Sequence, residues 1–235
     1  MKERPILFNG EMVRAVLDGR KTQTRRVIKK QPGVVGAVSY TCLDWLWHFT
    51  SNSGKVGIFK PAYLRCPYGK PGDRLWVRET WHKCSDGSQL QPHFVFRADG
   101  DYSVNTYGEC IYCEDQMKWK PSIHMPKVAS RILLEVTDVR VERVQEIAEG
   151  DVYAEGTPGM IGGRYGCKVC NASGWTYTDP DGCKNCKGTG ADIVGYFKSL
   201  WDSINGKPRK DGVDISWKAN PWVWVVTFKR LEAGE

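Results

Sequence analysis

The strongest constraint on the fold is a long β-rich run, Ala129 to Val141, reading Ala-Ser-Arg-Ile-Leu-Leu-Glu-Val-Thr-Asp-Val-Arg-Val. Aliphatic and β-branched residues crowd it and neither glycine nor proline breaks it, so it reads as a strand long enough to organise a sheet. Pro221-Trp-Val-Trp-Val-Val-Thr-Phe-Lys229 reads as a final strand. Pro71-Gly-Asp-Arg-Leu-Trp-Val-Arg-Glu79 is a turn feeding another, in which Leu75 and Val77 alternate with Arg74, Trp76 and Arg78. Residues 5–8 and 93–98 read as shorter strands, and Thr22 to Ile28 as extended chain. Helical spacing is confined to three stretches. Residues 10–18 place Met12, Val13, Val16 and Leu17 on one face, with Gly19 as the stop. Residues 144–155 carry Val144, Ile147, Val152 and Ala154, and Gly156 ends them; residues 193–204 carry Ile193, Phe197, Leu200, Trp201 and Ile204, ended by Asn205-Gly206. This order implies an α+β domain built on a small mixed or closed sheet. There is no repeat at solenoid periods.

A length of 235 residues fits one large domain, or one domain with insertions. Residues 31–70 and 82–120 read as decorating insertions; the first holds a tryptophan-rich piece, Leu43 to Phe49, that suits a β-hairpin. The net charge of +7, from 34 Lys+Arg against 27 Asp+Glu, leans toward a polyanionic partner such as nucleic acid or a nucleotide. No apolar run approaches the roughly 20 residues of a membrane span. The segment Met1 to Phe8 lacks the apolar core of a signal peptide, so a cytoplasmic protein is expected. Of the ten tryptophans, Trp76, Trp81, Trp119, Trp222 and Trp224 lie in strand-like contexts; most read as packing, with one or two able to stack on a base.

Nine cysteines, an odd number, point to metal or free thiols before disulfides. Cys167-Lys-Val-Cys170 and Cys183-Lys-Asn-Cys186 are two knuckles separated by twelve residues. Four thiolates at this spacing can surround one Zn²⁺ tetrahedrally and leave no open position, which makes the expected zinc structural. It would organise an inserted module at 157–190 too small to fold alone. The second knuckle, Cys-Lys-Asn-Cys-Lys-Gly-Thr-Gly190, resembles the zinc knuckles of the DnaJ chaperone family, which implies a zinc fold and not chaperone work. Cys110-Ile-Tyr-Cys113, with Cys66 and Cys84 upstream, is a possible second metal site; reduced thiols in a surface loop are the alternative.

Gly19-Arg-Lys-Thr-Gln-Thr-Arg-Arg26 concentrates cations and hydroxyls behind the first helix. Cationic strand residues can contact phosphate. Alternatively Lys21, as a free amine, takes the proton of Thr24, whose hydroxyl attacks an acyl carbonyl. Such a pair needs an orienting carboxylate, and Glu155 is the best candidate. On the 71–79 strand, Arg78 and Glu79 point to opposite faces, so one of them can face a cleft.

Phe8, the helix after it, Gly19 to Arg26, Pro71-Gly-Asp-Arg74 and Asp151-Val-Tyr-Ala-Glu-Gly156 resemble the ASCH domain of the PUA-like superfamily, most closely its longer bacteriophage and prophage members. The resemblance spans most of the chain outside roughly 31–70, 82–120 and 157–190. It implies a compact PUA-like β-barrel with flanking helices, carrying the zinc insertion, in the cytoplasm of a bacterial host. It also implies a cleft for a modified nucleoside, nucleobase or RNA. A small bacterial relative is an amidohydrolase that removes the acetyl group of N4-acetylcytidine. Its nucleophile, base and acidic partner correspond by motif to Thr24, Lys21 and Glu155, and Arg26 matches a family arginine. Arg25, Arg26, Arg78 and Glu79 are then candidates to hold a ligand or a neighbouring carboxylate. Other ASCH proteins are linked to RNA binding or cleavage. A non-catalytic RNA or modified-DNA reader and a ribonuclease therefore stay open beside the hydrolase.

Overall fold

The computed structural model describes residues 1–31, 35–41, 45–51, 62–84, 93–100, 118–157, 192–207 and 209–232. Their elements run β1 (Glu3–Leu7), α1 (Gly10–Leu17), β2 (Gln23–Val27), β3 (Val35–Thr41), β4 (Leu46–Ser51), β5 (Ala62–Leu64), β6 (Arg74–Arg78), β7 (Trp81–Cys84), β8 (His93–Phe96), β9 (Leu133–Arg143), α2 (Glu149–Ala154), α3 (Ile193–Asn205) and β10 (Trp222–Arg230). The chain is mixed α+β, with a five-stranded sheet in the order β1-β6-β9-β10-β2 and two smaller sheets, β3-β4-β5 and β7-β8. No helix of the described residues is long and apolar enough to cross a membrane. The chain divides into two compact units: Met1–Thr22 with Cys66–Val139 and Thr227–Glu235, and Gln23–Arg65 with Arg140–Val226.

In the first unit β1 runs parallel to β6, with Glu3 opposite Arg74 and Leu7 opposite Arg78. β6 is antiparallel to β9, with Trp76 opposite Leu133. The alternation read in the sequence is realised: Leu75 and Val77 are buried, while Arg74, Trp76 and Arg78 are half-buried. The turn before β6 is pinned by Asp73, whose carboxylate accepts from the Lys2 amide at 2.8 Å and the Lys70 amide at 3.3 Å. Gly69 beside it has φ +108°, and a Cβ there would lie 2.8 Å from Asp73 Oδ2, so conformation and space both require glycine. α1 begins at Asn9, whose side chain accepts from the Met12 amide at 2.8 Å, and buries Val13, Ala15 and Val16. The β-rich run yields strand from Leu133 onward. Its first residue, Ala129, instead closes a 3₁₀ turn, Lys127–Ala129, entered from an extended Pro126, and joins Trp81, Phe96 and Met125 in a satellite core.

In the second unit the tryptophan-rich piece forms part of an antiparallel three-stranded sheet. Trp47 meets Trp224 edge-on at 6.2 Å between centroids, and Phe49 meets Trp222 at 6.0 Å. The core here joins Val144, Ile147, Val152, Phe197, Trp201, Val223 and Val225. Trp201 also donates its indole N–H to the Ile215 carbonyl at 2.9 Å, so its polar atom is satisfied inside the core. The single helix expected at 144–155 is instead a 3₁₀ turn, Val144–Glu146, followed by α2. The Glu146 carboxylate turns back to accept from the Arg143 amide at 2.8 Å, and Ile147 and Ala148 are extended, with ψ of 125° and 158°. The apolar spacing that suggests one helix is thus shared between two short pieces that bury Val144, Ile147 and Val152 together.

Candidate functional site

β2 carries an unusual load of buried polar groups: Gln23, Thr24 and Arg25 are all buried. Strand alternation places Gln23 and Arg25 on one face and Thr24 and Arg26 on the other. The Arg25 side chain is 1% exposed. Its Nε donates to Glu142 Oε1 at 2.8 Å, and Nη2 lies 2.6 Å from the same oxygen. Nη1 donates to Gln23 Oε1 at 2.7 Å and to Glu155 Oε1 at 3.1 Å, while Nη2 donates to Asp151 Oδ2 at 2.8 Å. A guanidinium has five N–H groups, and these contacts account for all of them. Its Cζ lies over the Phe197 ring, 5.9 Å from the centroid. A ligand reaching Arg25 would have to displace one of these partners.

A second guanidinium closes the network. Arg140 donates through Nε to Glu142 Oε2 at 3.0 Å and through Nη2 to Asp151 Oδ2 at 2.8 Å. Desolvation works to raise the Asp151 carboxyl, but Arg25 and Arg140 outweigh it and hold the group below the usual aspartate range. Desolvation likewise opposes the charge on Arg140, and Glu142 and Asp151 more than restore it, raising its affinity for its proton.

Of the expected catalytic residues, Lys21 is 2% and Thr24 1% exposed. Lys21 Nζ stands 5.7 Å from the centroid of Phe8. Glu155 follows α2 as its C-cap, its amide bonded to the Asp151 carbonyl at 2.9 Å, and its carboxylate is held by Arg25. Arg26 is half-buried. Arg78 and Glu79 part company after β6. Arg78 donates to the Ile123 carbonyl and lies over the Trp76 indole, 5.3 Å from its centroid. Glu79 is 1% exposed, and both its oxygens accept from Arg131, at 2.9 and 3.0 Å. Arg131 is clasped on its other side by Asp99 and packed over Phe96 at 4.1 Å. Burial pushes the Glu79 carboxyl upward, against the pull of Arg131. Cys66 is a buried free thiol, pushed up to about 12 by desolvation. Cys110, Cys113, Cys167, Cys170, Cys183 and Cys186 lie outside the described residues, as does the side chain of Cys84. Among the described residues no three His, Cys, Asp or Glu side chains gather as a metal site.

Sequence reasoning overlooked Gln23, Arg140 and Glu142, and met Asp151 only within a motif. Two signals were present: Asp151 stands four residues before Glu155, helix-neighbour spacing, and Arg140 and Glu142 share a strand face. No local pattern announces the Arg25–Glu142 pair, 117 residues apart. No family model, curated protein or solved structure matches this chain.

Proposed function

We propose that the protein is a hydrolase that removes an acyl group from a modified nucleoside or nucleobase, an amide of the N4-acetylcytidine type. The observation that carries this reading is the near-complete burial of Lys21 and Thr24, three residues apart, behind α1. A lysine beside a hydroxyl is a residue type that can serve as its base. Thr24 Oγ adds to the acyl carbonyl while Lys21 Nζ accepts its proton. The C–N bond breaks, the nucleoside amine leaves with that proton, and water then releases the acyl group from Thr24 as a carboxylic acid. By the resemblance, Glu155 is the acidic partner in this reading. Arg26, on the Thr24 face of β2, is the cation that would meet the ligand. The resemblance to ASCH domains supports the same roles and a PUA-like barrel, and the five-stranded mixed sheet is compatible with it. A structural zinc on Cys167, Cys170, Cys183 and Cys186 belongs to this reading on spacing alone.

The test is incubation with N4-acetylcytidine and a panel of other N-acylated nucleosides, following free acid and amine. Turnover is expected, and Lys21→Ala and Thr24→Ala should each reduce it at least about 100-fold. A second reading, a non-catalytic reader of RNA or modified DNA, is favoured by the Arg78–Trp76 pair, a guanidinium on a half-buried indole, together with the +7 charge. Salt-dependent oligonucleotide binding with no turnover on any acylated nucleoside would select it.

A further inference from the structure

We infer that Arg25 is a positioning residue that holds the Glu155 carboxylate in place, and that Gln23, Glu142 and Asp151 fix Arg25 for that task; this rests on the reading of Glu155 as the acidic partner of the site. α2 is six residues long and ends at Ala154. The helix fixes the Glu155 backbone through the Asp151 carbonyl, but three side-chain torsions still separate that backbone from the carboxylate. An outside donor helps to settle them, and Arg25 Nη1 donates to Oε1 at 3.1 Å.

The donor is itself immobilised from every side. Gln23, its neighbour on the same strand face, takes the other Nη1 hydrogen; Glu142 spans Nε and Nη2; Asp151 takes the remaining Nη2 hydrogen. A planar fork with three separate acceptor groups on its edges has one orientation. Asp151 and Glu155 lie one helical turn apart, so one guanidinium ties the end of α2 and the acidic side chain to β2 together. Arg140 braces Glu142 and Asp151 from the solvent side. Every Arg25 N–H is already engaged by a protein acceptor, which suits it to positioning and not to ligand contact. A lysine would keep the positive charge among the carboxylates yet could not reach Glu142, Asp151 and Glu155 at once.

The experiment compares wild-type chain, Arg25→Lys and Asp151→Asn in hydrolysis of N4-acetylcytidine, with a crystal structure of each variant. Arg25→Lys should stay folded, lose about 10- to 100-fold in kcat with KM within about twofold, and show Glu155 displaced. Asp151→Asn should lose less, because Gln23 and Glu142 still hold Arg25. A raised KM at unchanged kcat would make Arg25 a ligand contact and overturn the inference. Unchanged kcat and KM with only a lower melting temperature would reduce it to a structural ion pair and also overturn it. Absence of turnover in the wild-type chain would sink the hydrolase reading, while the Arg25→Lys structure still decides this point: Glu155 unmoved refutes it. If Arg25→Lys does not fold, Asp151→Asn carries both measurements.

Discussion

Burying an arginine is tolerable when its charge and all its donors are met, and Arg25 meets both conditions with one amide and three carboxylates. Truncation is therefore severe: Arg25→Met takes one cation from Glu142, Asp151 and Glu155, leaves the first two to Arg140, and should cost about 3–5 kcal/mol in chemical denaturation. Asp151 gives the network an acid limit. Its folded carboxyl ionises more readily than an unfolded one, because of Arg25 and Arg140. Its stabilising contribution is thus complete above the ordinary aspartate value of about 3.9 and is lost as pH falls through the lower folded value. Asp151→Asn should be less stable at pH 7 by about 1–2 kcal/mol. It should also lose less stability than the wild type on going from pH 5 to pH 2; an equal loss in both proteins would remove Asp151 from the acid response. The acidic half of this site was half legible. Helical spacing links Asp151 to Glu155, whereas the strand partners of Arg25 come from a fold that no short window contains.

At the scale of the element, local signals worked where one physical effect dominated. α1 lies within one residue of its expected span because its ends are chemical: the Asn9 side chain accepts from the Met12 amide, and Gly19 takes φ +71°. Asn9→Ala should therefore cost about 1 kcal/mol. Gly19→Ala should cost about as much through backbone strain alone, since nothing lies within 4 Å of an added Cβ. Urea titrations of the two variants check both, and a neutral Gly19→Ala would show that the turn relaxes. The region after β9 was misread because apolar periodicity reports burial and not continuity. Val144, Ile147 and Val152 share one core, yet the Glu146–Arg143 hydrogen bond closes the first turn and two extended residues follow it. The early residues of the β-rich run show the same limit, since Pro126 and its 3₁₀ turn delay the strand to Leu133.

At the scale of the whole molecule, the mixed α+β class followed from the order of runs, but the strand order did not. Nothing in residues 3–7 says that their parallel partner begins at Arg74, because that pairing is set by a turn closed on Asp73 and by a core assembled from distant segments. The zinc module proposed at 157–190 is the opposite case: its sequence spells out a chemistry in two Cys-x-x-Cys pairs. On the proposed reading, four thiolates around one cation would supply the stability that so short and polar a sequence lacks by itself. Purified protein should contain at least one zinc per chain by elemental analysis. Cys167→Ser with Cys183→Ser should lower that content by one, and a strong chelator should lower the melting temperature of the wild type but not of the double variant. Protein prepared without chelators that carries no zinc would eliminate the module as a metal site. A double variant that keeps its full zinc content would instead move the metal to the cluster proposed around Cys66, Cys84, Cys110 and Cys113.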